Sequence, residues 1–514
     1  MRRGARSRAR EARKAVQTAG AALFQSPGRS LDNPHPPLAP LTDEQLELIH
    51  NASMTVLEDL GIEVASRQVR ERFRASGAIV DDVSDVVRVE RQLVTALVSQ
   101  APECFSLTPR NRANRIKVGG NRVNFGLVSG PPNVHDRVNG RRPGNFEDYQ
   151  KLIKLGQAFN VISFFGNQAI APVDLPVGSR HLDTYRANLL LSDKVFSAVP
   201  IGQGRVQDAV EMTARARGIA VAELREEPSL FGNININSPR KLDDAMSDAA
   251  LALAEHGQAV IVTPFTLLGA MAPVTLAAGL VQQNAEALFG IAMIQLFYPG
   301  APVVYGGFTS NVDMRSGAPA FGTPENAQAN LAGGQLARRY RLPYRTSGCN
   351  ASNLADAQAV YETQMSLWCG VLGYGNLVYH AAGWLEGGLV ASFEKLIIDV
   401  EMLQNLVAVM SPIEVGPEEL GLDAIGEVAP GGHFFGTAHT MGRYASAFYT
   451  PLLSDWQNNE SWLDAGGKDT AQRATEIWQS ALESFEAPTL DPARLESINE
   501  YVAKRRSEIG HGEP

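Results

Sequence analysis

From residue 122 onward the chain alternates between short apolar or β-rich runs and longer stretches that read as helix. The runs are Val123–Leu127, Val161–Ile170, Val195–Ile201, Phe231–Asn237, Ala259–Leu268, Pro302–Thr309, Tyr344–Asn350 and Leu377–Ala382. Strand–helix alternation builds parallel βαβ units, because parallel neighbours need a crossover connection. Eight such units over about 260 residues match the usual ~250-residue size of a (β/α)8 barrel. The competing architecture is a doubly wound open sheet. That fold normally carries a glycine-rich phosphate turn after its first strand, and neither G-x-G-x-x-G nor G-x-x-x-x-G-K-[ST] occurs. The expected fold is α/β: a (β/α)8 TIM-type barrel over 122–400, with an N-terminal α+β segment over 41–121 and a C-terminal helical extension over 401–514.

Residues 1–40 read as a basic arm and a Pro-rich linker or strap (Asn33–Pro40), partly disordered. The first 14 residues hold seven basic side chains and one acid, which is +6; the net charge is -9, so the remainder carries -15. The arm is either a solvated terminus or a contact for an acidic partner. The acidic remainder argues against nucleic acid as the main partner. Thr42 and Gln45 form a capping box for a helix that Gly61 stops. Leu389, Phe393, Leu396, Val400, Leu403 and Val407 predict an amphipathic helix over 385–410. Tyr361, Met365, Trp368 and Leu372 share another helical face. No apolar run reaches the ~18 residues that span a bilayer, and Arg2-Arg3 is followed by no apolar segment. Three widely spaced cysteines (Cys104, Cys349, Cys369), with no C-x-x-C, argue for a reducing compartment. A cytoplasmic protein without a membrane partner is expected.

The C-terminal strand ends of a barrel build its active site. Here they offer Phe125, Asn167, Gln168, Asn233, Asn235, Asn237, Thr263, Tyr305, Phe308, Cys349, Asn350, His380, Trp384 and Glu386. This set is rich in amides and aromatics and poor in acids. It suits a modest-sized organic substrate rather than a dinuclear metal site. Asn233, Asn235 and Asn237 alternate, so they share one side of a strand. They face a ligand or a polar, hydrated interior. His380 closes its strand ahead of the small residues Ala381-Ala382-Gly383. It is either a polar group aimed at a ligand or a core histidine bonded to backbone. If it points inward, alternation sends Tyr379 toward the helices. Cys349 has no neighbouring base that would make it a nucleophile. His433 and His439 are spaced wrongly for one helix face and have no accompanying cysteine or carboxylate. They suggest a loop that closes over the barrel or meets a partner.

Several stretches taken together carry a resemblance. They are Phe125-Gly126 with Pro131-Pro132 and His135-Asp136; Arg141-Arg142-Pro143; Ser347-Gly348 with Asp356-Ala357-Gln358; His380 through Gly388 leading into Ser392-Phe393-Glu394-Lys395; and Gly431 through Phe434 with His439-Thr440. With these, the chain from about residue 40 resembles the trimethylamine methyltransferase family of corrinoid-dependent methyltransferases. The resemblance implies the same barrel. Founding members carry pyrrolysine; this chain has only standard residues and resembles the non-pyrrolysine branch, whose known substrate type is a quaternary amine such as glycine betaine. Many relatives have Ser-Lys before Asp-x-Gln, where this chain has Ser352-Asn353.

The implied reaction moves a methyl group from a small quaternary amine to a Co(I) corrinoid on a separate corrinoid-binding protein. No tightly bound cofactor or metal of the chain's own is expected. Aromatic faces stabilise an ammonium by about 2 kcal/mol when desolvated, which nominates Phe125, Tyr305, Phe308 and Trp384. A betaine carboxylate needs a donor. No strand end offers lysine and Arg345 begins its run, which nominates His380. The implied set is then His380 and Asn350 as catalytic residues; Phe125, His135, Asn167, Asn235, Tyr305, Phe308, Trp384 and Glu386 around the substrate; and His433 and His439 on the corrinoid side. A homo-oligomer is expected from the long terminal helices and the acidic body. The rival readings are a non-catalytic quaternary-amine-binding protein and a barrel lyase acting on a small polar substrate.

Overall fold

The computed structural model describes Gln25 and residues 31–510. The basic arm lies outside the described residues. Each of the eight runs supplies one strand of a single parallel sheet: β1 (Arg122–Leu127), β2 (Ile162–Phe165), β3 (Val195–Phe196), β4 (Phe231–Ile234), β5 (Ala259–Val262), β6 (Val303–Gly306), β7 (Tyr344–Ser347) and β8 (Leu377–Ala382). They pair in the order β3-β2-β1-β8-β7-β6-β5-β4. A parallel bridge from Ser197, just past β3, to Phe231 of β4 joins the two ends. An open sheet would keep two free edges, so this closure decides for the barrel.

Strands buried on both faces need side chains for both. Phe164, Phe231, Ile261, Val304 and Tyr379 fill the inside, and a hairpin (Phe105–Leu107, Ile116–Val118) adds Leu107, Ile116 and Val118 to close the N-terminal end. The strap Asn33–Pro40 crosses that same end, where Leu38 N–H donates to the Leu372 carbonyl of the last helical turn beneath β8.

The crossover helices are α1 (Phe146–Ala158), α2 (Arg180–Leu191), α3 (Gln203–Arg217), α4 (Asp244–Glu255), α5 (Leu276–Phe297), α6 (Pro324–Arg339), α7 (Ala357–Leu372) and α8 (Phe393–Val409). Asn145, Asp243, Thr323, Asp356 and Ser392 each accept an N–H three residues on, fixing where five of them begin. The Thr42–Gln45 capping box forms on the preceding helix Asp43–Thr55. Gly61, at φ +71°, ends the turn that continues it.

One helix reading is corrected. α8 begins at Phe393, eight residues later than its apolar pattern suggests, and is buried nearly all round. α9 (Thr470–Glu483) covers its outer side, with the Trp478 ring 5.0 Å from Phe393. Residues 384–392 form instead two short strands (Trp384–Leu385, Val390–Ser392) in a sheet with Asn133–Asp136 and Gly140–Pro143. On α7, the apolar stripe faces outward: Tyr361 is 61% and Met365 50% exposed. The inward face consists of Ala359, Thr363, Ser366, Leu367, Gly370 and Val371. Close packing on the barrel requires small groups there, since a Cβ on Gly370 would stand 3.0 Å from Thr346.

Glu286 on α5 ties down the loop after β4. Its carboxylate accepts from Ser238 Oγ at 2.5 Å and from the Arg240 N–H at 2.8 Å. Burial pushes this carboxyl up to about 7, and the hydrogen bonds from Ser238, Arg240 and Gln282 recover only part of the shift. The folded value lies above the unfolded one. The group's stabilisation is therefore complete below about pH 4 and lost as pH rises through about 7, a swing of roughly 3 kcal/mol. Glu286→Gln is expected to raise Tm by a few degrees at about pH 8 and to flatten its fall between about pH 5 and pH 8. Calorimetry across that range checks this; identical Tm–pH curves for the two proteins would contradict it.

Candidate functional site

Arg345 stands second in β7, facing inward. Its long side chain climbs toward the mouth. The guanidinium carbon lies 4.5 Å from the centre of the Tyr379 ring and 5.1 Å from that of Phe308. Nη1 donates to the Gly307 carbonyl at 3.4 Å, Nη2 meets His380 Nε2 at 3.4 Å, and Nε has no partner among the described residues. The charges that act on it come from Tyr379, Tyr344 and Cys349, and no Asp or Glu is among them. Arg345 is 2% exposed. Burial pulls the guanidinium down to about 10, so it remains a cation at neutral pH.

His380 reaches the same place by breaking strand alternation. Its φ is +54°, and the β8–β1 register shifts between Val378 and Ala382. Both Tyr379 and His380 consequently face the interior, which corrects the expectation that Tyr379 turns to the helices. Tyr379 joins the inner aromatic floor, 5.1 Å from Phe164. A non-glycine residue at positive φ stores strain that persists where the surroundings enforce it. Gly383, Glu386, Gly387 and Gly388 share that left-handed region.

The ring nitrogens of His380 face two donors: the Ser129 N–H at 3.3 Å from Nδ1, and Arg345 at Nε2. A neutral imidazole can accept from only one of them, and a protonated one would turn N–H against N–H on both sides. Burial, and then the charge of Arg345, hold its pKa well below the usual histidine value. His380 is thus a neutral neighbour of the guanidinium.

Aromatic rings close over this pair. Trp384 lies 4.2 Å from His380, and Phe308 and Phe321 meet Trp384 edge-on at 6.2 Å. Phe265 stands 5.2 Å from Phe308. A buried network fixes Trp384. Its indole N–H donates to the Asn350 carbonyl, while Asn350 Nδ2 donates to the Trp384 carbonyl at 2.6 Å and to Thr363 Oγ1. Lys395 Nζ donates to Thr363 Oγ1 and pairs with Asp399, whose other oxygen accepts the Gly383 N–H at 2.8 Å. Asn350 Nδ2 therefore holds the tryptophan, while its Oδ1 is buried without a partner among the described residues.

Of the four expected aromatics, Phe308 and Trp384 join this cluster. Phe125 and Tyr305 do not: both point outward into the layer beneath the helices. The hydroxyl of Tyr305 donates to Asn284 of α5, and its ring stacks on Tyr340. Each stands one position out of phase with the inward residues of its strand. Asn167, just past β2, has a buried Oδ1 without a partner among the described residues. β4 ends at Ile234, so the three asparagines do not share one strand face. Asn233 meets Thr263 and Asn235, while Asn237 turns away to Asp243.

His135 and Glu386 lie in the four-stranded sheet and the turn beside it, and Glu386 pairs with Arg141 at 3.0 Å. Burial pushes the Cys349 thiol up to about 12, which leaves it no thiolate character. The His433 ring lies 5.7 Å from Phe435, tilted by 46°, and His439 packs near Gly421; both lie in the extension, with no contact to Arg345 or His380 among those described. Among the described residues no three His, Cys, Asp or Glu side chains gather as a metal set.

With this geometry established, similarity to known proteins decides the family. The family model for trimethylamine methyltransferase (MTTB) matches residues 2–510. The chain belongs to this family. It is 36% identical over 471 residues to a glycine betaine methyltransferase of Desulfitobacterium hafniense, covering 91% of this chain and 98% of the relative. It is 30% identical to a trimethylamine methyltransferase from the same species, over 92% of this chain and 95% of the relative. It is 27% identical to a proline betaine:corrinoid methyltransferase of Eubacterium limosum, over 90% of this chain and 96% of the relative.

Gly388 permits the whole arrangement. A Cβ there would stand 2.6 Å from the six-membered ring of Trp384, and its φ of +102° excludes most side chains. Gly388→Ala is expected to displace Trp384 and cut turnover more than about tenfold, the effect of a misplaced binding group, while leaving Tm within a few degrees. Steady-state kinetics together with tryptophan fluorescence check this. Unchanged values of both would show that the ring is not held by the turn.

Proposed function

We propose that this protein is a corrinoid-dependent methyltransferase whose methyl donor is a small quaternary amine carrying a carboxylate, of the glycine betaine type. Arg345 carries the reading. It is a buried cation with no counter-charge among the described residues, beside rings that attract a second cation. Removing a charge from water without a partner costs several kcal/mol. A betaine carboxylate supplies that partner and leaves its trimethylammonium end among Phe308, Phe321 and Trp384. Trimethylamine has no anion to set against Arg345 and would bring a like charge when protonated.

The chemistry needs no acid or base. The carbon–nitrogen bond breaks, its electron pair stays on nitrogen, and a neutral tertiary amine leaves. The Co(I) corrinoid of a partner protein supplies the nucleophile. The chain's residues must hold the ammonium, expose one methyl group at the mouth and exclude water. Orientation of this kind supplies much of a rate enhancement. The unpartnered Asn167 Oδ1 and Ser347 Oγ fit a polar ligand entering from above. Around the mouth, Val138, Val177, Ile201, Val274, Met314 and Leu354 are all at least 43% exposed, on segments that follow strand ends. Such a rim suits a docking protein. His380 and Trp384 are 6% and 5% exposed, so a donor reaches them only when the rings part.

No helix of the described residues is long and apolar enough to cross a membrane. Co(I) is readily oxidised, so the reaction belongs in a reducing compartment, the cytoplasm. Purified protein mixed with glycine betaine and a Co(I) corrinoid protein should yield methylcobalt absorbance and dimethylglycine. Binding without methyl transfer would favour a non-catalytic binding protein. Arg345→Gln should lower kcat/KM for glycine betaine by about ten- to a hundredfold, the value of one charge-assisted contact of roughly 1.5–3 kcal/mol. Equal kcat/KM in the two proteins would remove the arginine from the site. Neither Arg345 nor His380 changes charge near neutrality. Betaine affinity measured by calorimetry should therefore be flat from about pH 7 to about pH 8.5 and fall above about pH 10. A titration centred near pH 6.5 would contradict this.

A further inference from the structure

α5 is apolar along most of its length and packs between the barrel strands and the N-terminal segment. In its first half four side chains break that pattern: Gln282, Gln283, Asn284 and Glu286. Three of them, Gln283, Asn284 and Glu286, are buried. Apolar residues could fill the same layer with no polar group to satisfy. Glu286 ties down the loop after β4, and the other three act above β6.

Past Gly306 the chain leaves the barrel sheet and enters a small sheet of three short strands, Phe265–Leu268, Phe308–Val312 and Pro319–Ala320. This sheet carries Phe265, Phe308 and, just past its last strand, Phe321. Phe308 is the central ring. It faces Arg345, Phe265, Phe321, His380 and Trp384. Two successive glycines, Gly306 and Gly307, make the step onto the sheet, and neither offers a side chain to anchor it. One amide spans the step instead. Gln283 Nε2 donates to the Tyr305 hydroxyl at 3.4 Å, and Gln283 Oε1 accepts from Thr309 Oγ1 at 2.6 Å. A Cβ on Gly307 would stand 3.2 Å from that Nε2. Strand alternation turns Thr309 away from the rings that Phe308 faces, so a hold on Thr309 is a hold on Phe308. Neighbours complete the clamp. Asn326 Nδ2 of α6 donates to the Thr309 carbonyl at 3.0 Å, and Gln282 Nε2 donates to the Met271 carbonyl, just past the Phe265 strand, at 2.9 Å. Asn284 fixes the other end, accepting from the Tyr305 hydroxyl and donating to that of Tyr340 at 2.9 Å.

We infer that Gln283 is a positioning residue for the methyl donor: through Thr309 it sets where Phe308 stands relative to Arg345, and so the separation at which one donor can meet both. Gln283 itself touches neither end of the donor. The inference rests on the quaternary-amine reading of the ring cluster.

Calorimetry on the full chain with tetramethylammonium, which probes the ammonium end alone, tests it. Thr309→Val, which removes the hydroxyl and nearly keeps the shape, and Gln283→Leu should each weaken binding by about three- to tenfold, part of one cation–π contact. Each should lower kcat/KM for glycine betaine at least as much. Thr309→Ser, which keeps the hydroxyl, should bind as the parent does. The double variant Gln283→Leu with Thr309→Val should lose no more than the weaker-binding single one, because both remove the same bond. A lowered Tm with unchanged tetramethylammonium binding would make the bond merely structural and overturn the inference, as would additive losses in the double variant. Phe308→Leu separates the two claims. If it weakens tetramethylammonium binding and Thr309→Val does not, the inference alone fails; if neither does, the quaternary-amine reading of the rings fails with it. Should Gln283→Leu not fold, the comparison of Thr309→Val with Thr309→Ser carries the same test.

Discussion

The guanidinium of Arg345 sits inside a barrel, over the rings of Tyr379 and Phe308, with no carboxylate of the described chain beside it. Two aromatic faces offset part of the cost of burying that charge, by about 2 kcal/mol each at best, and a few neutral acceptors offset a little more. The remainder is a standing demand for an anion. Much of the mouth follows from that demand. His380 Nε2 stands 3.4 Å from the guanidinium, and a protonated ring there would oppose it. Its ring backs Trp384, and Trp384 closes the aromatic wall with Phe308 and Phe321.

Holding that wall requires a strained backbone. The turn from His380 to Gly388 passes repeatedly through positive φ, a conformation that surroundings must enforce. Here they do so through buried polar groups. The Lys395–Asp399 pair grips the Gly383 N–H, and Thr363 and Asn350 carry the same network to both polar ends of Trp384. The charges in that network lie outside the aromatic cluster.

The barrel was legible because its signal is repetitive: eight apolar runs separated by helical stretches, and a length that fits. Trp384 and Phe308 were legible because they follow strand ends. The rest depended on geometry that residue type does not encode. Arg345 is second in its strand, and a strand-end inventory passes over it. An arginine reaches as far as about two strand residues rise, roughly 7 Å. An inward arginine without an acid in register was the available clue. Phe125 and Tyr305 are one position out of phase, and β4 stops before the alternating asparagines can share a face. Strict alternation also failed at Tyr379–His380, where one positive φ turns two neighbours to the same side.

The central claim is that an unpaired cation in the mouth selects a donor bearing both charges. Isothermal titration of the full chain with glycine betaine and with choline, which keeps the trimethylammonium but replaces the carboxylate with a hydroxymethyl group, tests it most directly. The account predicts that glycine betaine binds at least about tenfold more tightly, the worth of one charge-assisted contact. Equal binding, or a preference for choline, would contradict it.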